Sequence, residues 1–209
     1  MRIGITCYPT YGGSGVLATE LGLQLARRGH EIHFISYDKP FRISKIQERV
    51  YYHKVQVAEY PLFQYPPYSL ALTSRMVEVA SEVELDILHV HYAVPHAVSA
   101  YLAKQMLGGQ IKVVTTLHGT DITLVGSNPS YMPITRFSLE QSDGITAVSE
   151  FLREETIDTF GVTKPIEVIY NFVDTDRFVK DATGARRKEF APNGEKILMH
   201  LSNFRPVKR

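Results

Sequence analysis

Short runs of apolar and β-branched residues recur along this chain, and longer segments with helical spacing separate most of them. An alternation of strand, helix and strand is typical of a parallel sheet that helices cover on both faces. We therefore predict an α/β fold built on a Rossmann-like, doubly wound parallel sheet. The runs predicted to be strands are 2–6, 31–36, 55–60, 86–91, 112–118, 144–149 and 166–171.

Helix signals lie in four segments between these runs, 16–30, 68–84, 94–107 and 149–161. We predict that Ser69 and Ser149 cap two of these helices, because a serine hydroxyl accepts a hydrogen bond from an unpaired N–H of the first turn. Gly161 is predicted to end the last of them in the left-handed conformation. The apolar stripe of the first helix is predicted to consist of Leu17, Leu21 and Leu25.

The chain changes character after residue 170. A polar, basic stretch is followed by a new apolar run, KILMHLS (196–202), which is predicted to be a strand. Because a lone strand cannot bury two faces, this run is interpreted as the beginning of a second domain. We therefore predict a Rossmann-like domain over 1–170 and, over 171–209, a linker with the first strand of a truncated C-terminal domain.

Charge and cysteine content exclude several classes of partner and compartment. The net charge of +1 provides no general field that would attract nucleic acid or an anionic membrane, so neither is expected as a partner. The start of the chain, MRIGITCYP, lacks the features of a secretory signal. Cys7 is the single cysteine and is predicted to be a small buried core side chain, which agrees with a cytoplasmic location.

A glycine-rich stretch, YGGSG (11–15), follows the first predicted strand and precedes the first predicted helix. Gly12, Gly13 and Gly15 let the backbone turn sharply or approach a ligand closely, and the helix that follows adds partial positive charge. A tight turn and an anion-binding loop are both open at this point. The absence of G-x-G-x-x-G and of G-K-[ST] argues against a dehydrogenase and an NTPase.

Two histidines share one face of the fourth predicted strand. His89 and His91 lie two residues apart in HVHYAVPH, and side chains alternate along a strand. A metal site is one interpretation, but no cysteine or carboxylate lies nearby, and His96 falls in the next helix. We favour a hydrogen-bonded pair near the ligand cleft, and we expect no metal.

Polar residues are concentrated after the fifth predicted strand, in TLHGTDITLVG. His118 closes the strand, and Thr120 and Asp121 add a hydroxyl and a carboxylate in the loop beyond it. Such groups at the carboxyl end of a strand suit a sugar or a small acid, which is the interpretation we favour. The alternative is a capped turn in which Asp121 bonds its own backbone.

Two further cationic positions have both a functional and an ordinary explanation. Arg153 lies at the start of a predicted helix, where it opposes the helix dipole, so it either meets a carboxylate ligand or is a solvated surface arginine. Near the end of the chain, Arg205 and Lys208 follow the last predicted strand, where they either face a diphosphate or form a basic tail.

Taken in order, six motifs spread over the whole chain resemble the retaining GT-B glycosyltransferases of family four. They are GGSG, HVHYAVPH, TLHGTD, VSEFLRE, VIYNFVDTDRF and HLSNFRPVK. The resemblance implies transfer of N-acetylglucosamine from UDP-N-acetylglucosamine to L-malate with retention of configuration, the step that begins bacillithiol biosynthesis. It implies neither a metal nor another cofactor, because cations and a helix N-terminus counter the charge on UDP.

The resemblance also implies roles for individual residues. The catalytic residues are expected to be His118, Arg205 and Lys208. The donor contacts are expected from Gly13, Ser14, Gly15, Asn171 and Asn203. The acceptor contacts are expected from the polar side chains near the carboxyl ends of the predicted strands, because L-malate needs cations and hydroxyl groups; they are Ser14, Tyr92, Thr120, Asp121 and Arg153. Asn203 occupies a position where many relatives have the arginine, so Lys208 is the safer of the two cationic assignments.

Other functions remain open at this stage. The acceptor could be a glycolipid or a polysaccharide, for which FQYPPYSLAL (63–72) offers the candidate aromatic surface. The chain could also be a ligand-binding module without catalysis, because the family's paired glutamates belong to a second domain. We therefore expect this fragment to be inactive alone, and a homo-oligomer is a further open possibility.

Overall fold

The computed structural model describes residues 1–43, 47–180 and 184–201. Within these residues, a seven-stranded sheet has the order β3-β2-β1-β4-β5-β6-β7. Every neighbouring pair of strands is parallel. This confirms the predicted doubly wound α/β fold. The strands are β1 (Arg2–Thr6), β2 (Glu31–Ser36), β3 (Val50–Lys54), β4 (Ile87–His91), β5 (Lys112–Leu117), β6 (Gly144–Ala147) and β7 (Ile166–Val168).

The third strand differs from its prediction. It lies at Val50–Lys54, whereas the sequence pattern placed it at 55–60. This strand is at the edge of the sheet and pairs with β2 alone, and none of its side chains is fully buried. An exposed edge strand needs no alternation of apolar and polar residues, so VYYHK gave no signal. Of the residues predicted instead, Val55 is the one that is buried.

The helices of the described residues cover both faces of this sheet. They are α1 (Ser14–Arg27), α2 (Tyr68–Val83), α3 (Val98–Met106), α4 (Met132–Gln141), α5 (Glu150–Phe160) and α6 (Ala185–Phe190). Two irregular π-type turns, Ala93–Ala97 and Asp121–Gly126, follow β4 and β5. The longest described helix, α2, has 16 residues, and none of the helices in these ranges is long and apolar enough to cross a bilayer.

The face that α1 buries is not the predicted leucine stripe. Its buried positions include Ala18, Gly22 and Ala26, while Leu17, Leu21 and Leu25 are only partly buried. A Cβ added at Gly22 would lie 2.5 Å from the Phe34 ring. The helix therefore lies so close to the sheet that small residues must face the strands, and the leucines flank this contact.

Two of the three helix-end predictions are confirmed. The Ser149 hydroxyl accepts a hydrogen bond from the Leu152 amide at 3.2 Å, and Gly161 ends α5 with φ of 60°. The Ser69 prediction is wrong, because α2 begins at Tyr68 directly after Pro67. Two consecutive prolines, 66 and 67, fix the backbone before the helix, so the start does not depend on a side-chain cap.

Cys7 is buried at the carboxyl end of β1, as predicted, and it packs among the apolar residues between the sheet and α1. Burial raises the pKa of its thiol to about 12, with a smaller opposing effect from the Thr19 hydroxyl. A thiol with so high a pKa carries almost no thiolate at neutral pH and is unreactive. Cys7 therefore contributes packing to the core.

The chain divides into two compact units, Met1–Asn171 and Phe172–Arg209. In the described part of the second unit, α6 is followed by residues 196–201 in no regular structure, so the strand predicted there is absent from these residues. Leu198 and Leu201 are almost fully exposed. A strand is stable only beside a neighbour, and no described segment pairs with this run.

Candidate functional site

The candidate site lies at the carboxyl edge of the sheet, where β1, β4 and β5 are neighbours. Strand order reverses direction between β1 and β4, so the loops that follow these strands diverge and leave a crevice. Gly13 follows β1, Tyr92 follows β4, and His118 follows β5. The fold thus gathers at one edge three residues that are far apart in sequence.

Two of the three loop glycines are required by the backbone itself. Gly13 caps α1 with φ of 58°, a conformation that side chains disfavour. A Cβ at Gly15 would lie 2.1 Å from the Tyr8 carbonyl oxygen, so the start of α1 can reach this loop only with glycine there. Gly12 has open space and no positive φ, so packing and backbone conformation do not explain it.

The same loop presents the N-terminus of α1 to the crevice. Ser14 is the first residue of the helix, is buried, and has no acidic residue beside it in the first turn. Unpaired N–H groups and the helix dipole at such an end favour an anion. The loop is therefore a tight turn that requires glycine, and anion binding by Gly13, Ser14 and Gly15 stays a prediction.

Tyr92 has an unusual backbone conformation that its surroundings hold in place. Its φ is 88°, which is rare for a residue with a large side chain. The Tyr92 amide donates to the Thr116 carbonyl at 3.0 Å, and its hydroxyl is hydrogen-bonded to the Thr120 hydroxyl at 2.7 Å. Its ring stacks on His118. Strained conformations of this kind concentrate at ligand sites, and two of the five predicted acceptor residues, Tyr92 and Thr120, lie together here.

His118 is joined to a second histidine from the neighbouring strand. Its Nε2 lies 2.8 Å from Nδ1 of His91, and the ring centroids are 5.1 Å apart. Burial, with a smaller contribution from the nearby His89, lowers the pKa of His118 to about 4. His118 is therefore neutral at physiological pH and can bind a ligand through a hydrogen bond rather than through charge.

His89 and His91 do not form the hydrogen-bonded pair that was expected. Their rings stack with centroids 4.5 Å apart, and each ring bonds a residue of β5 or the loop after it. His89 Nε2 lies 2.7 Å from the Thr116 hydroxyl. These hydrogen bonds depend on the register of β4 against β5, which places His91 opposite Thr116. The spacing of the two histidines in the sequence does not determine them. Among the described residues, no group of three or more His, Cys, Asp or Glu has the geometry to hold a metal ion.

Asp121 lies inside the fold, where the sequence interpretation placed it against the acceptor. Its Oδ1 accepts from the amides of His118 and Gly119 at 3.0 and 2.8 Å, and its Oδ2 accepts from the Ala93 amide at 3.2 Å. The residue is completely buried, and burial raises its pKa although these amides oppose the shift. A completely buried carboxylate does not fit the predicted direct contact with the acceptor. Asp121 instead connects the loop after β5 to the turn after β4 through these hydrogen bonds.

We predict that Asp121→Asn lowers the free energy of unfolding by about 1–3 kcal/mol, because an amide nitrogen cannot accept a hydrogen bond. Whichever way the amide is turned, it faces at least one backbone N–H with its own N–H₂ group. Urea unfolding measures the loss. Asp158→Asn is the control, since Asp158 is exposed on α5, and equal stability of the two variants would contradict the role of Asp121.

Arg153 has partners within its own helix. Its Nη2 lies 2.6 Å from Glu150 Oε2 and 3.7 Å from Glu154 Oε1, and the side chain is 36% exposed. These glutamates offset the unfavourable dipole interaction, so the position of Arg153 has a local explanation. Its proposed contact with an acceptor carboxylate stays a prediction.

Asn171, predicted to contact the donor, is exposed at the end of the first unit.

The remaining predicted site residues, Asn203, Arg205 and Lys208, lie outside the described residues. Tyr8, by contrast, lies beside Tyr92 at this edge of the sheet and was not predicted from the sequence. Its ring meets Tyr92 edge-on with centroids 5.2 Å apart and packs against His96. The signal that could have found it is its position two residues after β1, at the carboxyl edge.

The chain is similar to one protein family and to curated proteins of two organisms. The model of the family described as Glycosyltransferase Family 4 matches residues 11–177. The chain is 57% identical over 210 residues to N-acetyl-alpha-D-glucosaminyl L-malate synthase of Bacillus anthracis, covering 100% of this chain and 55% of that protein. It is 27% identical over 143 residues to a GDP-mannose-dependent alpha-(1-6)-phosphatidylinositol monomannoside mannosyltransferase of Mycolicibacterium smegmatis, covering 66% of this chain and 36% of that protein.

Solved structures show the same fold at low sequence identity. A glycosyltransferase from Rickettsia africae superposes with a TM-score of 0.65 at 20% identity, over 91% of this chain and 49% of that chain. Anabaena HepE, solved in complex with UDP and glucose, superposes with a TM-score of 0.66 at 13% identity, over 92% of this chain and 50% of that chain. The chain thus spans about half the length of the Bacillus anthracis protein and of these two solved structures.

Proposed function

The chain belongs to glycosyltransferase family 4, and from this we propose that its protein transfers N-acetylglucosamine from UDP-N-acetylglucosamine to L-malate with retention of the α configuration. The reaction proposed is the one that begins bacillithiol biosynthesis in the cytoplasm. The observation that carries the proposal is the 57% identity, over the full length of this chain, to the N-acetyl-alpha-D-glucosaminyl L-malate synthase of Bacillus anthracis.

L-malate has two carboxylates and a hydroxyl, so its site needs fixed positive charge and hydroxyl groups. The carboxyl edge offers the N–H groups at the start of α1, the bonded hydroxyls of Tyr92 and Thr120, and, after β6, the guanidinium of Arg153. A guanidinium can bind a carboxylate through two parallel hydrogen bonds. In this proposal Arg153 exchanges its contacts with Glu150 and Glu154 for the acceptor carboxylate.

On the donor side, the neutral ring of His118 is proposed to bind a sugar oxygen by a hydrogen bond. The N-terminus of α1, together with Arg205 and Lys208, is proposed to counter the charge that develops on the leaving UDP. The phosphate oxygen that leaves can itself accept the malate hydroxyl proton on the same face of the sugar. The proposal therefore includes no covalent nucleophile, no metal and no other cofactor.

A second candidate is transfer to a lipid acceptor. The segment before α2 carries large apolar side chains in solvent, with Leu62 81% and Tyr65 78% exposed, and Tyr60 and Phe63 half-exposed beside them. The mycobacterial relative is named for a phosphatidylinositol mannoside acceptor. A surface of this kind suits a membrane lipid better than it suits malate.

The test is an acceptor comparison with the full-length protein. We expect UDP release and a product of the mass of N-acetylglucosaminyl malate with L-malate, and neither with succinate, which has both carboxylates but no hydroxyl. His118→Ala provides the baseline, and NMR of the anomeric proton reports retention. Product with phosphatidylinositol vesicles but not with L-malate would replace the malate proposal with the lipid one.

A further inference from the structure

The candidate site contains a hydrogen bond between the rings of two histidines. His91 ends β4, His118 follows β5, and the two rings share a hydrogen bond of 2.8 Å between Nδ1 of His91 and Nε2 of His118. The His91 side chain is also held on its other face, where it stacks on His89. The His91 ring therefore has little freedom to turn, and it presents Nδ1 to its neighbour.

Both rings are neutral, so each carries one N–H. Burial is the main cause that lowers the pKa of His91 well below 6.5 and that of His118 to about 4. A hydrogen bond between two imidazole nitrogens needs one proton, which belongs to either His91 or His118. The two possibilities leave different nitrogens protonated at the far side of each ring.

The surroundings of His91 distinguish these possibilities. Its Nε2 is buried and has no hydrogen-bond partner among the described residues. If that nitrogen carried the proton, the fold would bury an unpaired donor, which is rarer and less favourable than a buried nitrogen lone pair. The proton of His91 is therefore on Nδ1, and it is donated to His118.

His96 provides an internal precedent for this arrangement. Its Nδ1 lies 2.5 Å from the His91 carbonyl oxygen, which can only accept, so its proton must be on Nδ1. His96 Nε2 is then a buried lone pair, and it too lacks a partner among the described residues. The fold thus already contains one buried histidine that keeps its proton on Nδ1 and leaves Nε2 unpaired.

We propose that His91 is a positioning residue that donates its Nδ1 proton to His118, so that His118 keeps its own proton on Nδ1 and acts there as a hydrogen-bond donor. This inference rests on the proposed function, in which His118 lies against the donor sugar. A ring locked in this tautomer can donate to a sugar oxygen without first exchanging its proton. Tyr92, which stacks on His118 with an interplanar angle of 19°, restrains the same ring from its other side.

The tautomer is measured directly by ¹⁵N NMR of full-length protein labelled at histidine, with His118→Ala used to assign the resonances. We expect His118 to show a protonated Nδ1 and an unprotonated Nε2. A protonated Nε2 on His118 in the unsubstituted protein would overturn the proposal. This measurement needs no substrate, so its result is readable even where the proposed sugar transfer fails.

The functional part of the proposal is tested with two substitutions at His91. His91→Phe keeps a ring but no donor, and we expect it to lower kcat by about tenfold with a smaller change in KM for the donor. His91→Asn places an amide N–H near the position of Nδ1 and is expected to restore most of the activity and the His118 tautomer. In the His118→Ala background, His91→Phe should have no further effect.

The kinetic and NMR results together test whether His91 positions His118. Unchanged kcat in His91→Phe, or failure of His91→Asn to restore either the tautomer or the activity, would overturn positioning by His91. Absence of sugar transfer in the unsubstituted protein would instead overturn the proposed function and leave the tautomer assignment standing on its own measurement.

Discussion

Replacing Gly15 with alanine is expected to lower the free energy of unfolding by about 3 kcal/mol and to reduce kcat/KM by about a hundredfold. The added Cβ would lie 2.1 Å from the Tyr8 carbonyl oxygen and 3.1 Å from the Thr10 backbone nitrogen. Backbone atoms cannot move aside as a flexible side chain does, so either the loop or the start of α1 must shift. Urea unfolding and initial rates measure the two effects.

Gly12→Ala is the matched control for this prediction. Gly12 is in the same loop, but a Cβ there would meet nothing within 4 Å, and its φ is not positive. We expect Gly12→Ala to keep the stability of the unsubstituted protein. If Gly15→Ala proved as stable and as active as Gly12→Ala, the close approach between the loop and α1 would not be needed for either property.

Stability is expected to fall steeply as the pH drops from about 6.5 towards 4. Five buried or partly buried histidines have a folded-state pKa below the ordinary value, so the unfolded chain binds more protons than the folded one in this range. Each extra proton contributes a slope of about 1.4 kcal/mol per pH unit. Asp121, whose pKa is raised, acts in the opposite direction as a single group. The five are His53, His89, His91, His96 and His118.

The test is the slope of the free energy of unfolding against pH, which counts the protons taken up on unfolding. His96→Asn keeps an N–H donor near Nδ1 but cannot titrate, so we expect it to reduce the uptake by about one proton. Leu88→Ala is the control, because it removes buried apolar volume and no titrating group. A slope that is flat between pH 6.5 and 4.5 would show that these histidines are not buried in the neutral state.

The sheet could be predicted from the sequence because each buried strand carries its own apolar run. β3 was missed since an edge strand is half-exposed and needs no such run. The buried face of α1 was misread because periodicity shows which residues share a face, whereas the close packing at Gly22 selects the face with small residues. Local patterns therefore identify elements better than they identify contacts between them.

The candidate site shows the same division. The position of His118 after a strand was readable from the sequence, because the carboxyl edge of a parallel sheet is where ligands bind. The hydrogen bond between His118 and His91 could not be predicted from the sequence, since it depends on the register of β4 against β5. The burial of Asp121 was equally hidden, because it results from a turn after β4 that supplies the Ala93 amide.

The central place of β1 has a consequence for synthesis on the ribosome. Ile3 pairs with Ile32 on one side and with Ile87 on the other, so β1 acquires its second neighbour only after β4 is complete. At translation rates of about 5–20 residues per second, the roughly 55 residues from the end of β2 to the end of β4 leave one edge of the nascent strand open for about 3–11 seconds. During that interval the apolar residues of β1 are accessible to chaperones, and a slow stretch of codons before β4 would lengthen their exposure to aggregation.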